Sequence, residues 1–315
     1  MATHRLAVER SDLHASFSQA AVPRLVIEPG DSVELSIPDV SWGLEPPTST
    51  TAPRRKVEPR DPVRDQGPCL VGPIGVRDAA PGDALAITFE RIRPGPWGWT
   101  YSGGPVSTPA LNGALGIGDA PLTLLRWTLD EDRKIATSDR GDRVAVAPFL
   151  GTIGVSPAED HASGWLPRNC GGNMDCRELI EGSMLWLPVM VHGALLSLGD
   201  GHAAQGDAEL SGTAIECAME LVRIRVELVK SAQIRSPRVR TLGGQWVTLG
   251  FGPTLDTAAE HAAVAMLDLM IEHTQRPRAE LLALASSQVS LRITQMVNPH
   301  RGVHAIWHGG SAGDI

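Results

Sequence analysis

Apolar and polar positions alternate in short runs along most of this chain, and the same dipeptide precedes three of them. Gly30-Asp31 leads into Ser32-Val33-Glu34-Leu35, Gly82-Asp83 into Ala84-Leu85-Ala86-Ile87, and Gly141-Asp142 into Arg143-Val144-Ala145-Val146. Glycine tolerates positive φ, aspartate hydrogen-bonds within its own turn, and period-two hydrophobicity marks a strand, so each unit predicts a turn feeding a strand. Pro29 and Pro81 tighten the first two turns. The unequal spacing of the units argues against a solenoid. Further strands are predicted at Leu25–Ile27, 184–191, 221–229 and 289–297. In the last, Val289, Leu291 and Ile293 alternate with Ser290, Arg292 and Thr294.

The period changes late in the chain. Thr257 with Glu260 makes a capping box, and Ala262, Met266, Leu269 and Met270 then recur at helical spacing until Pro277. A second short helix is predicted over 279–285, so 256–297 reads helix, helix, strand. The fold class expected is mainly β with an α+β addition packed on the β body. Three regions are expected: 1–160 mainly β, 161–235 carrying a polar site, and 236–315 as the α+β region. The segment 46–68, with Arg54, Arg55, Lys56, Arg60 and Arg64, reads as a mobile loop whose charges are solvated. The alternative is a clamp on an anionic group or a subunit contact.

Composition narrows the function classes. The 33 Gly and 24 Pro among 315 residues agree with many turns between short elements. With 28 Lys+Arg against 36 Asp+Glu the net charge is −8, which removes a broad footprint for nucleic acid or anionic lipid. The most hydrophobic stretch, 184–198, is short and carries Pro188, His192 and Gly193, and the N-terminus lacks an apolar signal core. A soluble cytoplasmic protein is expected. Cys69, Cys170, Cys176 and Cys217 form no metal or disulfide spacing and read as reduced, buried thiols.

Candidate chemistry concentrates between residues 169 and 217. Asp200 and His202, if extended, point to one face, and a carboxylate beside an imidazole begins a divalent-metal site. Asp175, Glu209 or Glu216 could complete it, with Asn173, Gln205 and Asp207 close by. Each of these residues, taken singly, also suits a turn, since Asp and Asn beside Gly hydrogen-bond locally. Glu216 stands between Ile215 and Cys217, surroundings that raise a carboxyl pKa toward the value a general base needs. No GxSxG elbow, HExxH, Walker A or GxGxxG motif is present. Glu260-His261 and Glu272-His273 read as surface residues, and His300, His304 and His308 as tail residues.

The block Gly-Gly-Asn173-Met-Asp175, the run Gly-Asp200-Gly-His202-Ala-Ala-Gln205-Gly-Asp207 and the run Gly-Thr-Ala-Ile-Glu216 resemble the acetamidase/formamidase family. The resemblance extends to Gly72-Pro73-Ile74, to Pro148-Phe149-Leu-Gly-Thr-Ile-Gly154, and to Thr294-Gln295-Met-Val-Asn298-Pro299. It implies hydrolysis of short aliphatic amides to the acid and ammonia, with relatives that open small lactams. A jelly-roll-like β-sandwich with a β-barrel-like segment and an α+β addition is implied as well. So are a homodimer or higher homo-oligomer and bound Zn²⁺ or Ca²⁺. On this basis Asp175, Asp200 and His202 are expected to hold a divalent metal, and Glu216, Asn173 and Asp207 to act in catalysis. Gln205, Glu209 and Gly172 are expected around the substrate, with Asn173 and the N–H groups of Gly171 and Gly172 serving the oxyanion. His14 and Asp39 would be drawn toward the same block. Ala208 departs from the glycine usual between the acids and resists positive φ at that turn. A hydrolase of a related C–N bond, a lactam or a carbamate, a metal-free enzyme, with Glu216 and Asp175 acting on water or Cys170 as nucleophile, and a non-catalytic binding module are the rival readings.

Overall fold

Each Gly-Asp unit is a turn followed by a strand in the computed structural model, which describes residues 1–309. Gly30, Gly82 and Gly141 carry φ of 91°, 92° and 94°, and the strands Ser32–Ile37, Ala84–Pro94 and Arg143–Ala145 follow. The aspartates brace the turns as their chemistry dictates. Asp31 Oδ2 accepts from Glu28 N at 3.3 Å, and Asp83 Oδ2 accepts from Ala80 N at 3.0 Å.

Among the described residues the largest sheet has nine strands. It runs from Thr3–Arg5 through Ser32–Ile37, Met219–Val229, Ala84–Pro94 and Met184–Pro188 to the C-terminal strands. A six-stranded sheet includes, in neighbouring order, Gly171–Asn173, Phe149–Gly154, Leu196–His202 and Leu70–Val76. The two sheets share one core, in which Ile87, Phe89, Ile224 and Val226 of the first meet Ile74, Phe149, Ile153 and Leu198 of the second. Burying each such side chain contributes roughly 1.5–3 kcal/mol, so this shared layer holds the two sheets together. A four-stranded arm, Trp97–Ser102 to Arg143–Ala145, leans over those ends.

The late helical pattern is the helix Leu255–Thr274, with Arg278–Gln288 after it and the strand Val289–Gln295 beyond. The cap lies three residues before the expected one: Thr254 is extended, and its hydroxyl accepts from Thr257 N at 3.2 Å. Ala258, Ala262, Met266, Leu269 and Met270 face inward. Gly250 in the neighbouring strand lets the helix approach, since a Cβ there would stand 2.2 Å from Ala258 O and Ala262 N.

Two expectations are corrected. The histidine-bearing tail is the strand Arg301–Trp307, paired between Trp246–Gly252 and Val289–Gln295, with His304 wholly buried and 3.4 Å from Glu178. Pro299 and Gly302 exclude a helix, as the sequence indicates, but the apolar residues Val303, Ala305 and Ile306 complete the sheet. The basic run of 46–68 is solvated only in part: Arg55 and Arg64 are exposed, but Arg54 is only 9 % exposed and Arg60 lies 4.9 Å from the Trp42 ring centre. Among the described residues no helix is long and apolar enough to cross a membrane.

Candidate active site

The site forms where strands of the six-stranded sheet end beneath the arm. Leu196–His202 carries Asp200 and His202, and its neighbour Phe149–Gly154 is paired with Phe149 opposite His202 and Thr152 opposite Gly199. On the other side of that neighbour, Asn173 lies opposite Thr152. Asp200 and His202 converge as expected, His202 Nε2 lying 3.2 Å from Asp200 Oδ1. The route is not plain alternation, because Asp200 has φ 62°. Asp175 (φ 49°) and Glu209 (φ 49°) also occupy left-handed conformations, so three acids of the site are presented from strained backbone.

Glu216 reaches the same point from a distant segment. Its backbone exchanges hydrogen bonds with Trp99 of the arm, N to O at 2.8 Å and O to N at 2.9 Å. Its Oε1 accepts from Ala214 N at 3.0 Å, while Oε2 stands 3.2 Å from His202 Nε2 without an aligned hydrogen-bond partner. The edge of Phe149 holds the imidazole plane at 5.0 Å between ring centres. Ligand atoms of Asp175, Asp200 and His202 lie within 4.8 Å of one another, as do those of His202, Glu209 and Glu216, so the cluster could hold a metal.

Burial sets the electrostatics. It pushes the Asp175 carboxyl well above the usual range, with the Asp200 charge adding to it, and does the same to Glu209, with Asp175 adding. Glu216 is raised by burial against the pull of His202. Burial alone would lower His202, but the carboxylates of Glu216 and Asp200 outweigh it and raise its pKa well above the usual imidazole value. Asn173 satisfies its surroundings with its nitrogen toward the acids. It then donates to Asp200 Oδ2 at 2.9 Å, Asp175 Oδ1 at 3.3 Å and Thr152 Oγ1 at 2.7 Å, and its oxygen accepts from Asn298 Nδ2 at 2.9 Å.

A cavity of about 610 Å³ opens above this floor, walled by Trp99, Tyr101, Val106, Trp165 and Val297 among others. Comparisons with known proteins bear on what such a site is. The model of the Acetamidase/Formamidase family matches residues 158–299, the stretch that carries Asn173, Asp175, Asp200, His202, Glu209 and Glu216. The chain matches the acetamidase/formamidase family.

An acetamidase of Mycolicibacterium smegmatis is 30 % identical over 266 residues, 63 % of this chain. The alignment spans 65 % of that protein's own length, which is short of two thirds. Crystal structures of acetamidases extend the likeness to the whole fold. That from Yersinia enterocolitica superposes with a TM-score of 0.83 at 28 % identity, over 97 % of this chain and 91 % of that one. That from Bacillus halodurans gives 0.83 at 25 % identity, over 97 % and 96 %.

The other residues expected from the family's polar block fall outside the cavity. Asp207 turns away from the cluster: Arg292 Nε and Nη2 hold its Oδ2 at 2.7 and 2.6 Å. Ala208, at φ 73°, is the pivot that sends Asp207 outward and Glu209 inward, and it adopts the positive φ that its methyl group resists. Gln205 donates to Asp175 O at 3.0 Å and Thr294 O at 3.2 Å, bracing the backbone beneath the site. Gly171 spends its N–H on Arg168 O at 3.0 Å, and neither it nor Gly172 is among the residues lining the cavity. His14 is likewise remote from the cavity lining; its Nδ1 lies 2.7 Å from Ser16 O, and burial lowers its pKa to about 4. Cys170 is buried outside the cavity lining, its thiol pushed up by burial to about 11, which leaves no thiolate near neutrality.

Spacing assigns no role to Gly151, Thr152, Trp99 or Asn298, which the structure brings to the site. The family blocks contain Gly151, Thr152 and Asn298, and that is the only signal for them in the sequence. Asp39 joins indirectly. Wholly buried, it accepts from Trp99 Nε1 at 2.7 Å, Gly43 N at 2.7 Å and Arg54 Nη1 at 2.7 Å, fixing the indole that forms the cavity wall. Replacing Arg54 by leucine strands that carboxylate and is expected to destabilise the fold by about 3–5 kcal/mol in denaturant titration. A loss far below this would show that Asp39 is satisfied without the guanidinium.

Proposed function

We propose that this protein hydrolyses the C–N bond of a carboxamide to a carboxylate and ammonia. The observation that carries the reading is the buried floor of the cavity, where Asp175, Asp200, His202, Glu209 and Glu216 face one another under the match to acetamidases and formamidases. Amide hydrolysis needs an activated water, stabilisation of a tetrahedral oxyanion and a proton for the leaving nitrogen. Glu216 Oε2, at the cavity floor beside His202 Nε2 without an aligned hydrogen bond, takes a proton from the attacking water and passes it to the departing amine. His202 orients that carboxylate and Asp200 from one nitrogen. Asn173, donating to both aspartates, sets their direction in place of the oxyanion role expected from the sequence.

The residues fit a divalent cation. His202 Nδ1 and Glu216 Oε2 are buried without hydrogen-bond partners, and carboxyl groups crowded in a dry site favour a positive charge among them. Asp175, Asp200 and His202 would hold it, a mixed nitrogen and oxygen set that suits Zn²⁺, with Ca²⁺ the alternative. Bound there, the cation supplies a Lewis acid for the carbonyl and a lowered pKa for water. The resemblance implies a homo-oligomer, which light scattering would read directly.

Ammonia release from formamide and acetamide, before and after chelation and metal return, tests the reading. Activity is expected to vanish on chelation and to recover with one added metal. Activity that survives stringent metal removal would leave the acids to act on water alone. Saturable amide binding without ammonia would make this a binding module.

A further inference from the structure

We infer that the preferred substrate is an aryl-bearing amide, such as an arylacetamide, ahead of formamide or acetamide. This deepens the amide-hydrolase reading and rests on it. The cavity of about 610 Å³ lies in the range that encloses ligands of drug size, and acetamide would fill only a small part of it. Its chemistry is divided. The floor is the acid and imidazole cluster, while the walls above join Val40, Trp99, Tyr101, Val106, Trp165 and Val297 to several hydroxyl side chains. The Trp99 and Tyr101 rings pack 4.8 Å apart between centres, tilted by 51°, and present a continuous aromatic wall. Such a wall favours a flat apolar group by area burial and ring contact together.

The wall is built to stay in place. Asp39 holds the Trp99 indole, with Arg54 stacked 5.6 Å from its ring centre. Thr213 Oγ1 accepts from Tyr101 N at 2.9 Å and donates to Tyr101 O at 3.1 Å, and Thr100 Oγ1 donates to Ala214 O at 2.7 Å. A Cβ on Gly212 would stand 2.2 Å from Val106 O, so the 103–109 loop rests directly on the segment leading to Glu216. Within that loop Ser107, 7 % exposed and lining the cavity, has a buried hydroxyl without a partner, a polar handle for a substrate beside the aromatic wall.

The test is kcat/KM for phenylacetamide against acetamide, by ammonia release from the metal-loaded protein. Phenylacetamide is expected to be better by about tenfold or more. Val106→Trp, which fills the wall, is expected to lower the ratio of the two by a similar factor, and Tyr101→Ala to lower it as well. Equal or better use of acetamide overturns the inference and leaves the hydrolase reading standing. So does a ratio that Val106→Trp leaves unchanged in a folded protein. Ammonia from neither amide overturns both readings.

Discussion

Glu216→Gln is expected to lower turnover by about 10²–10⁴-fold, the range that positioned general bases contribute, while melting temperature and metal content stay at wild-type values. The physical ground is the asymmetry of the carboxylate. Oε1 is committed to Ala214 N, whereas Oε2 faces the cavity beside His202 with no aligned partner. A glutamine oxygen can keep the Ala214 contact, and the residue keeps its volume. Its amide cannot take up the proton of an attacking water. The backbone of Glu216 is pinned by Trp99, so no shift of the main chain brings another acid into its place. Glu209 is the acid to watch: its side chain shares a set with His202 and Glu216 within 4.8 Å. Wild-type turnover in Glu216→Gln would move the base to Glu209. Loss in both Glu216→Gln and Glu209→Gln would show a pair acting together.

Gly151→Ala is expected to cut activity by about 10²-fold or more, because misplacing reacting groups by ~1 Å has that effect. A Cβ at this position would stand 2.6 Å from Asp200 Oδ2, 2.7 Å from Asp175 Oδ1 and 2.7 Å from His202 Cε1. No rotamer change relieves all three contacts, since Asn173 and Thr152 hold the aspartates from the other side. The strand Phe149–Gly154 is buried throughout, so the overpacking also costs about 1–3 kcal/mol of stability. Metal content should fall with activity, because the methyl group enters the space where the proposed ligands meet. Full activity with full metal content in Gly151→Ala would place the reacting groups elsewhere. Unlike Glu216→Gln, this change removes no chemistry, so the two variants separate the role of the base from that of the frame.

The turns at Gly30, Gly82 and Gly141, the late helices and the polar block from Asn173 to Glu216 were legible in the chain. Each rests on interactions between residues close in sequence: a fixed or positive φ, a side chain capping its own turn, a hydrophobic period. The capping residue of the long helix was displaced by three positions because Thr254 and Thr257 offer competing hydroxyls, and only the extended backbone at Thr254 decides between them. Asp207 looks identical in kind to Glu209 on paper. Their separation follows from a single positive-φ pivot at Ala208 and from Arg292, which arrives on a strand far along the chain. His304 read as tail for the same reason: its neighbours in the sheet are 249 and 292, invisible to any local pattern.

Sequence alone established a β-rich chain with a late helical piece, an acid and imidazole cluster, and the family it resembles, because periodicity, turn chemistry and motif spacing are local properties. Tertiary structure decided which acids face the cavity, that Gly151 leaves them room, and that Trp99 and Tyr101 wall it. Those outcomes depend on register between distant strands, Thr152 opposite Asn173 and Trp99 opposite Glu216. Register is set by which faces the shared core buries, and burial is a property of the assembled sheets.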